Sequence, residues 1–537
     1  LQRGAPIISG FLLGYIAVLP LIGRIADLRG RVPVLIGSLT VFALGSLVTA
    51  ASYDLTSIVL GRLLQGVGAG GLLPATLALV ADLYPPRRRG VPLGVVGAVQ
   101  EFGNVLGPVY GAAVLAVADW RAIFWINLAV ALALVVVIRR TPAAAHTRQR
   151  REWDRVGAAL AACSVAAALL VMVSPDRLTR HVTWGLAFLP VVAESRWWSP
   201  LGLVAICAAL MLVVRGFTAR APLLDLRAWG RLLRKVDVPG TALLALALAG
   251  VILAFSTADP EVAVLAPAGG WYLAVSVAAS VGFWWRNRTA EWPLIPRGAV
   301  AATPAWGALL VSFFVGAALI AALVDIPIFA RLTIYPDSQL SAALVLVRFL
   351  VGLPIGAFLG GWLTHHLPAG VVTALGMAAA GGGFVWMSTW GLETLRDPVS
   401  NVPLVLAGIG VGLAMAPVNA ALLAATEAGV HGVSSALLVV ARTVGKLVGI
   451  SVLTTIGLRR YYAEASGLPA PREVCPDGSS RCPEFTQILK EAGLTQLHTI
   501  FIGAAICCAL AAVVALVVFR HAETRGVRAR ALDSQLG

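Results

Sequence analysis

Ionisable side chains inside long apolar stretches are the residues of this sequence best placed to do chemistry. Glu101 lies about 15 Å into an apolar run at 91–116. A carboxyl near a membrane midplane is a functional candidate by default, and here the role would be that of a proton carrier. The alternative is a structural carboxylate paired with an arginine. Arg62 stands in the run 56–81, either turned to a bundle interior or snorkelling to the interface. Arg442 and Lys446 are four apart, so they share one helix face, with Gly445 and Gly449 beside them. Two cations on one face in a bilayer need anions or water, which Glu101 can supply in part. Glu101 and Arg442 are therefore expected to couple proton movement to substrate release. Asp325, in the outer third of its run, and Arg348, near mid-run, join Lys446 as candidate cavity charges.

Other candidates shape rather than react. Gly23, Asp27, Gly30 and Arg31 form a short charged stretch between the apolar runs 6–22 and 32–52, read as a loop turned by its two glycines. Asp27 and Arg31 can pair there, partly desolvated. Gly103, Gly107 and Gly111 recur every fourth residue and are expected to admit another helix backbone, with Pro108 bending the helix beside them. Cys475 and Cys482 enclose a turn-like stretch in a polar loop, and a disulfide is expected on the oxidising side of the membrane. The segment from Glu484 to Leu497 can extend the last run outward as a helix.

The elements that must position these residues follow from composition. The chain has 537 residues, of which 59% are hydrophobic and 12% charged, about half the charged share of a soluble domain. Its mean hydropathy is +0.86. Fifteen apolar runs, from 6–22 to 497–520, are long enough to cross a bilayer, with 200–216 and 270–285 the weakest. The net charge of +15 sits in short loops between runs, which argues for topology and headgroup contact rather than nucleic acid. Placing 23–31 in the cytoplasm puts most of the 41 Lys and Arg there, including Arg87-Arg88-Arg89, Arg148 to Arg155, Arg227 to Lys235 and the stretch after Arg520. The same parity leaves the first residues outside, so an odd number of spans, in the simplest case one helix, is expected upstream.

One pattern occurs twice. Asp154-Arg155-Val156-Gly157 opens a run whose partner ends at Arg215 before Pro222-Leu223-Leu224, and Asp237-Val238-Pro239-Gly240 opens one whose partner ends at Arg286 before Pro293-Leu294-Ile295. They read as two copies of one hairpin.

The spacing G-x-x-x-D-x-x-G-R from Gly23 to Arg31 resembles the signature loop of the major facilitator superfamily, between its helices 2 and 3. Arg62 to Gly70 resembles the helix-4 motif, whose arginine is tied to proton coupling. Gln100 to Gly111 resembles the helix-5 motif of exporters, and Asp119 to Asn127 the fourteen-helix drug-exporter branch. Leu12 to Ala17, Leu323-Val324-Asp325, Leu353 to Ala357 and Ala441-Arg442 are similar to actinobacterial exporters that move triacylglycerides with a periplasmic lipoprotein and are linked to drug efflux. The similarity covers about 1–140 and 237–460; the 156–235 insert and the cysteine loop depart from it.

The resemblance implies an all-α membrane protein of the major facilitator fold. The expected organisation is an N-terminal bundle at 1–139, four linker helices at 140–303, a C-terminal bundle at 304–520 and a cytoplasmic tail at 521–537. The expected function is proton-coupled export of lipophilic molecules, triacylglyceride-like lipids above all, across the cytoplasmic membrane by a monomer. A multidrug–proton antiporter is the alternative. A lipid-modifying membrane enzyme would need a His-Asp or similar pair at the interface, and the sequence offers none. No nucleotide-binding G-x-x-x-x-G-K-[ST] motif is present, and the seven histidines form no ligand cluster, so neither cofactor nor metal is expected.

Overall fold

The computed structural model describes residues 5–85, 88–141, 154–191, 195–256, 266–296, 300–469, 471–475 and 482–522. Arg87, the basic run at 148–153, the residues between Cys475 and Cys482, the tail after 522 and the side chain of Pro108 lie outside the described set. Every regular element among the described residues is helical. We number the longer ones α1 (Ala5–Arg29), α2 (Arg31–Ala50), α3 (Leu55–Leu83), α4 (Gly90–Val117), α5 (Arg121–Arg140), α6 (Arg155–Val173), α7 (Pro200–Thr218) and α8 (Leu226–Arg234). They continue as α9 (Val238–Ser256), α10 (Gly269–Thr289), α11 (Thr303–Thr333), α12 (Gln339–Leu363), α13 (Ala369–Met387), α14 (Asn401–Ala424), α15 (His431–Ala465) and α16 (Pro483–Val518).

Thirteen helices among the described residues are long and apolar enough to cross a membrane. The two expected spans outside that number, at 91–116 and 270–285, are both helical, as α4 and α10. α10 is diluted by Trp271, Trp284, Trp285 and Arg286, residues that favour an interface. The stretch read as a loop at 23–31 is corrected. α1 runs on to Arg29, and α2 begins at Arg31. Gly30 alone breaks the helix, at φ +95°, a backbone region that glycine enters without steric cost. Ile25, Ala26 and Leu28 keep helix-compatible chemistry through the charged stretch, so nothing forces an earlier stop. Asp27 and Arg31 form an ion pair across this break, their side chains 0% and 6% exposed.

By compactness the chain divides into two units, one of residues 1–72, 113–242 and 289–294, the other of 73–112, 243–288 and 295–537. In the first, α2 packs on α5 through Leu39, Ala43, Ala131 and Val135. α6 and α7 form the first hairpin. Asp154 caps it by accepting from the Gly157 amide at 2.8 Å, the Leu223 amide at 2.8 Å and the Arg215 guanidinium at 2.7 Å. Those three donors, Arg215 foremost, hold its carboxyl down at about 2. In the second hairpin Asp237 accepts from the Gly240 amide at 3.1 Å, the same cap at the same spacing. The helices cross at matching positions as well. Ser164 donates to the Ala205 carbonyl at 3.0 Å, whereas Ser276 donates to the Ala247 carbonyl at 2.7 Å.

In the second unit α11 to α16 pack around one core that includes Phe329, Phe349, Phe384, Trp390 and Phe501. Most of α4, up to Ala112, belongs to the same unit. Leu93 packs with Ala416, Ala420 and Leu423 of α14. Gly90 and Gly94 meet the backbone of Ala357 and Gly361 on α12. α16 is 36 residues long, about 54 Å, and so takes in the Glu484–Leu497 extension. At its N-terminal end Cys475 and Cys482 are bonded, with Cα atoms 5.7 Å apart.

Candidate functional site

Backbone proximity builds the site of the second unit. A Cβ at Gly445 of α15 would fall on the Phe313 carbonyl of α11, and one at Gly316 on the Arg442 carbonyl. Small residues thus let α11 and α15 touch backbone to backbone, as in membrane helix pairs generally. That contact brings the Arg442 guanidinium against α11, where its Nε donates to Ser312 Oγ at 3.3 Å, and Ser312 donates onward to the Leu438 carbonyl at 3.2 Å. Arg442 is 6% exposed. One turn later Lys446 is half-buried, and it lies within Coulombic reach of both Arg442 and Glu101. Glu101, on α4, is 1% exposed. The unit therefore brings together an acid and two bases from helices hundreds of residues apart in sequence. In low dielectric such charges influence one another strongly, and a proton gained or lost by one is felt by the others.

Asp325 and Arg348 belong to the same unit but are not joined to that cluster by any described contact. Asp325 is 2% exposed on α11, and its Oδ1 has no hydrogen-bond partner among the described residues. Arg348 is half-buried on α12, without an ion pair among the described residues. The expectation for the glycines of α4 is corrected too. Gly103, Gly107 and Gly111 have no described atom within 4 Å of where a Cβ would stand. Phe102 and Leu106 beside them are 52% and 44% exposed. Among the described residues no helix backbone approaches this face; α4 makes its close glycine contacts about two and a half turns or more before Gly103, at Gly90 and Gly94.

Arg62 lies in the first unit and has a different environment. Its guanidinium donates to Gln65 Oε1 at 2.9 Å, Gln65 Nε2 donates to Ser46 Oγ at 2.8 Å, and Ser46 donates to the Phe42 carbonyl at 2.9 Å. The guanidinium also stands over the rings of Phe11 at 4.5 Å and Phe124 at 5.9 Å. No carboxylate pairs with it among the described residues, and its Nε is buried without a partner. Gln65 was visible three residues after Arg62. Ser46 and Ser312 carried no sequence signal, because each meets its partner only through helix packing. No group of three or more His, Cys, Asp or Glu suited to a metal occurs among the described residues.

This arrangement of paired apolar helices, buried charges and small-residue contacts has relatives. Residues 5–285 match the Major Facilitator Superfamily. The triacylglyceride transporter of Mycolicibacterium smegmatis is 33% identical over 97% of this chain and 82% of its own. That of Mycobacteroides abscessus is 34% identical over 92% of this chain and 82% of its own. Among solved structures, the human organic anion transporter MFSD10 (TETRAN) superposes with a TM-score of 0.50 at 16% identity, covering 94% of this chain and 83% of its own. At that identity the likeness speaks to the fold alone. This chain is thus an all-helical, multi-pass membrane transporter, not an enzyme, and it belongs to the major facilitator superfamily.

Proposed function

We propose that the protein is a proton-coupled exporter of lipophilic molecules, triacylglyceride-like lipids first, across the cytoplasmic membrane. The observation that carries this reading is the buried Glu101 set within reach of Lys446, which also senses Arg442. A buried acid among bases changes its interactions when it takes up or releases a proton, which is what coupling by alternating access needs. The similarity to two mycobacterial triacylglyceride transporters supports the choice of cargo. Two bases, the buried Arg442 and the half-buried Lys446, stand with one acid, Glu101, which favours neutral or anionic cargo over cationic drugs. A periplasmic lipoprotein that receives the lipid is part of the same reading.

The test is transport in proteoliposomes carrying a fluorescent triacylglyceride or a cationic dye, with and without an imposed pH gradient. Lipid flux that rises with the gradient and is lost in Glu101→Gln is the expected result. Dye flux without lipid flux would convert the reading to multidrug–proton antiport. Lipid flux indifferent to the gradient would remove the coupling.

A further inference from the structure

Helix α8 belongs to neither charge cluster, and its sequence is unlike that of its neighbours. Its nine residues, Leu226–Arg234, begin on Asp225, whose carboxylate accepts from the Ala228 amide at 2.9 Å. α7 ends at Thr218 and α9 begins at Val238, so short connections tether α8 to the membrane at both ends. A short amphipathic helix held in this way lies in the headgroup layer. Arg227, Arg231 and Lys235 recur every fourth residue and are all exposed, forming one basic stripe. Leu226, Trp229 and Leu232 are half-buried on the other side. The Trp229 ring lies under the Arg29 guanidinium, 4.8 Å from it. Arg29 is the last residue of α1 and adjoins Gly30, the single break before α2. Helix α8 therefore touches the α1–α2 turn directly, on the membrane face the two share.

We propose that α8 is a site for anionic phospholipid, and that Trp229 relays the presence of that surface to the α1–α2 turn through Arg29. Charge complementarity selects the ligand. α8 holds no acid, and the carboxylate next to it, Asp225, is committed to the helix cap. Arg227, Arg231 and Lys235 are free to meet lipid phosphates, each such charge near an anionic surface being worth about fivefold in affinity. The exposed Leu223, Leu224 and Leu233 can enter the acyl boundary beside them. The site is independent of the cargo and of proton coupling, and its test reads neither.

The first measurement is binding of a short-chain phosphatidylglycerol to the purified full chain in detergent, with short-chain phosphatidylcholine and inorganic phosphate as separate arms. Replacing the stripe as R227Q/R231Q/K235Q is expected to weaken phosphatidylglycerol binding by at least about tenfold and to leave phosphatidylcholine binding unchanged. Equal affinity of the native chain and the triple variant for phosphatidylglycerol overturns the site. Full competition by inorganic phosphate overturns the lipid assignment in favour of a free-anion site. The second measurement is amide hydrogen exchange at residues 26–34 in nanodiscs with and without phosphatidylglycerol. Anionic lipid is expected to slow exchange in the native chain, whereas Trp229→Leu keeps the lipid affinity and loses that effect. Lipid-dependent protection that persists in Trp229→Leu overturns the relay.

Discussion

Arg62 and Arg442 are the same residue type in the same solvent, yet their surroundings differ. Arg62 is met by a neutral amide and two aromatic rings, with Gln65 handing the bond on to Ser46. Arg442 is met by a serine hydroxyl, and its neighbour Lys446 senses both it and the buried Glu101. A guanidinium held by neutral groups is a fixed positive charge. A guanidinium that shares its surroundings with a carboxyl changes its balance whenever that carboxyl changes charge. Under the proposed coupling, what sets Arg442 apart from Arg62 is a titratable neighbour and not depth in the membrane.

The comparison is broken most directly at Glu101. Glu101→Gln removes charge-assisted interactions of about 1.5–3 kcal/mol, so gradient-driven flux in proteoliposomes should fall roughly 10- to 100-fold. Unchanged flux would place Glu101 with the fixed scaffold, beside Arg62. Next in size is Gly445→Ala, which sets a Cβ on the Phe313 carbonyl and should cost up to about 3 kcal/mol, read as a lowered Tm in detergent. Gly103→Ala, which meets no described atom, should stay within about 0.5 kcal/mol in the same assay.

Smaller effects sharpen the comparison. Gln65→Leu leaves a guanidinium N–H without its acceptor, at about 1–2 kcal/mol of stability. Its flux should remain as gradient-dependent as that of the native chain, and a lost dependence would draw Arg62 into coupling. The smallest effect concerns Asp154, whose carboxyl is held at about 2 rather than 3.8. A depressed value stabilises the fold above the unfolded value and ceases to as pH falls through the folded one. The Tm difference between native chain and Asp154→Asn should therefore be full above about pH 5, shrink as pH falls through 3.8 towards 2, and be lost below about pH 2.

Much of this was legible from the chain. Arg442 with Lys446, and Arg62 with Gln65, follow from helical spacing alone, which places them on common faces without any knowledge of tertiary packing. The twin Asp-x-x-Gly caps at Asp154 and Asp237 are equally local, because a cap is satisfied within three residues. What could not be read was whatever depends on a distant helix. Ser312 meets Arg442 across 130 positions, and Trp229 meets Arg29 across two hundred. The open face at Gly103 misled for the same reason. A glycine stripe permits close approach, but only the partner helix decides whether the approach is made. The helix through Gly23–Arg29 misled differently, since two glycines and several charges favour a turn without compelling one.

The paired hairpins carry one more lesson. Their crossing points lie at matching positions, yet the hydroxyl that fastens the crossing stands on α6 in one hairpin and on α10 in the other. Giving Ala205 a hydroxyl and taking it from Ser164 should leave the first hairpin as well tied as before, because the second is fastened in that sense, from its later helix to its earlier one.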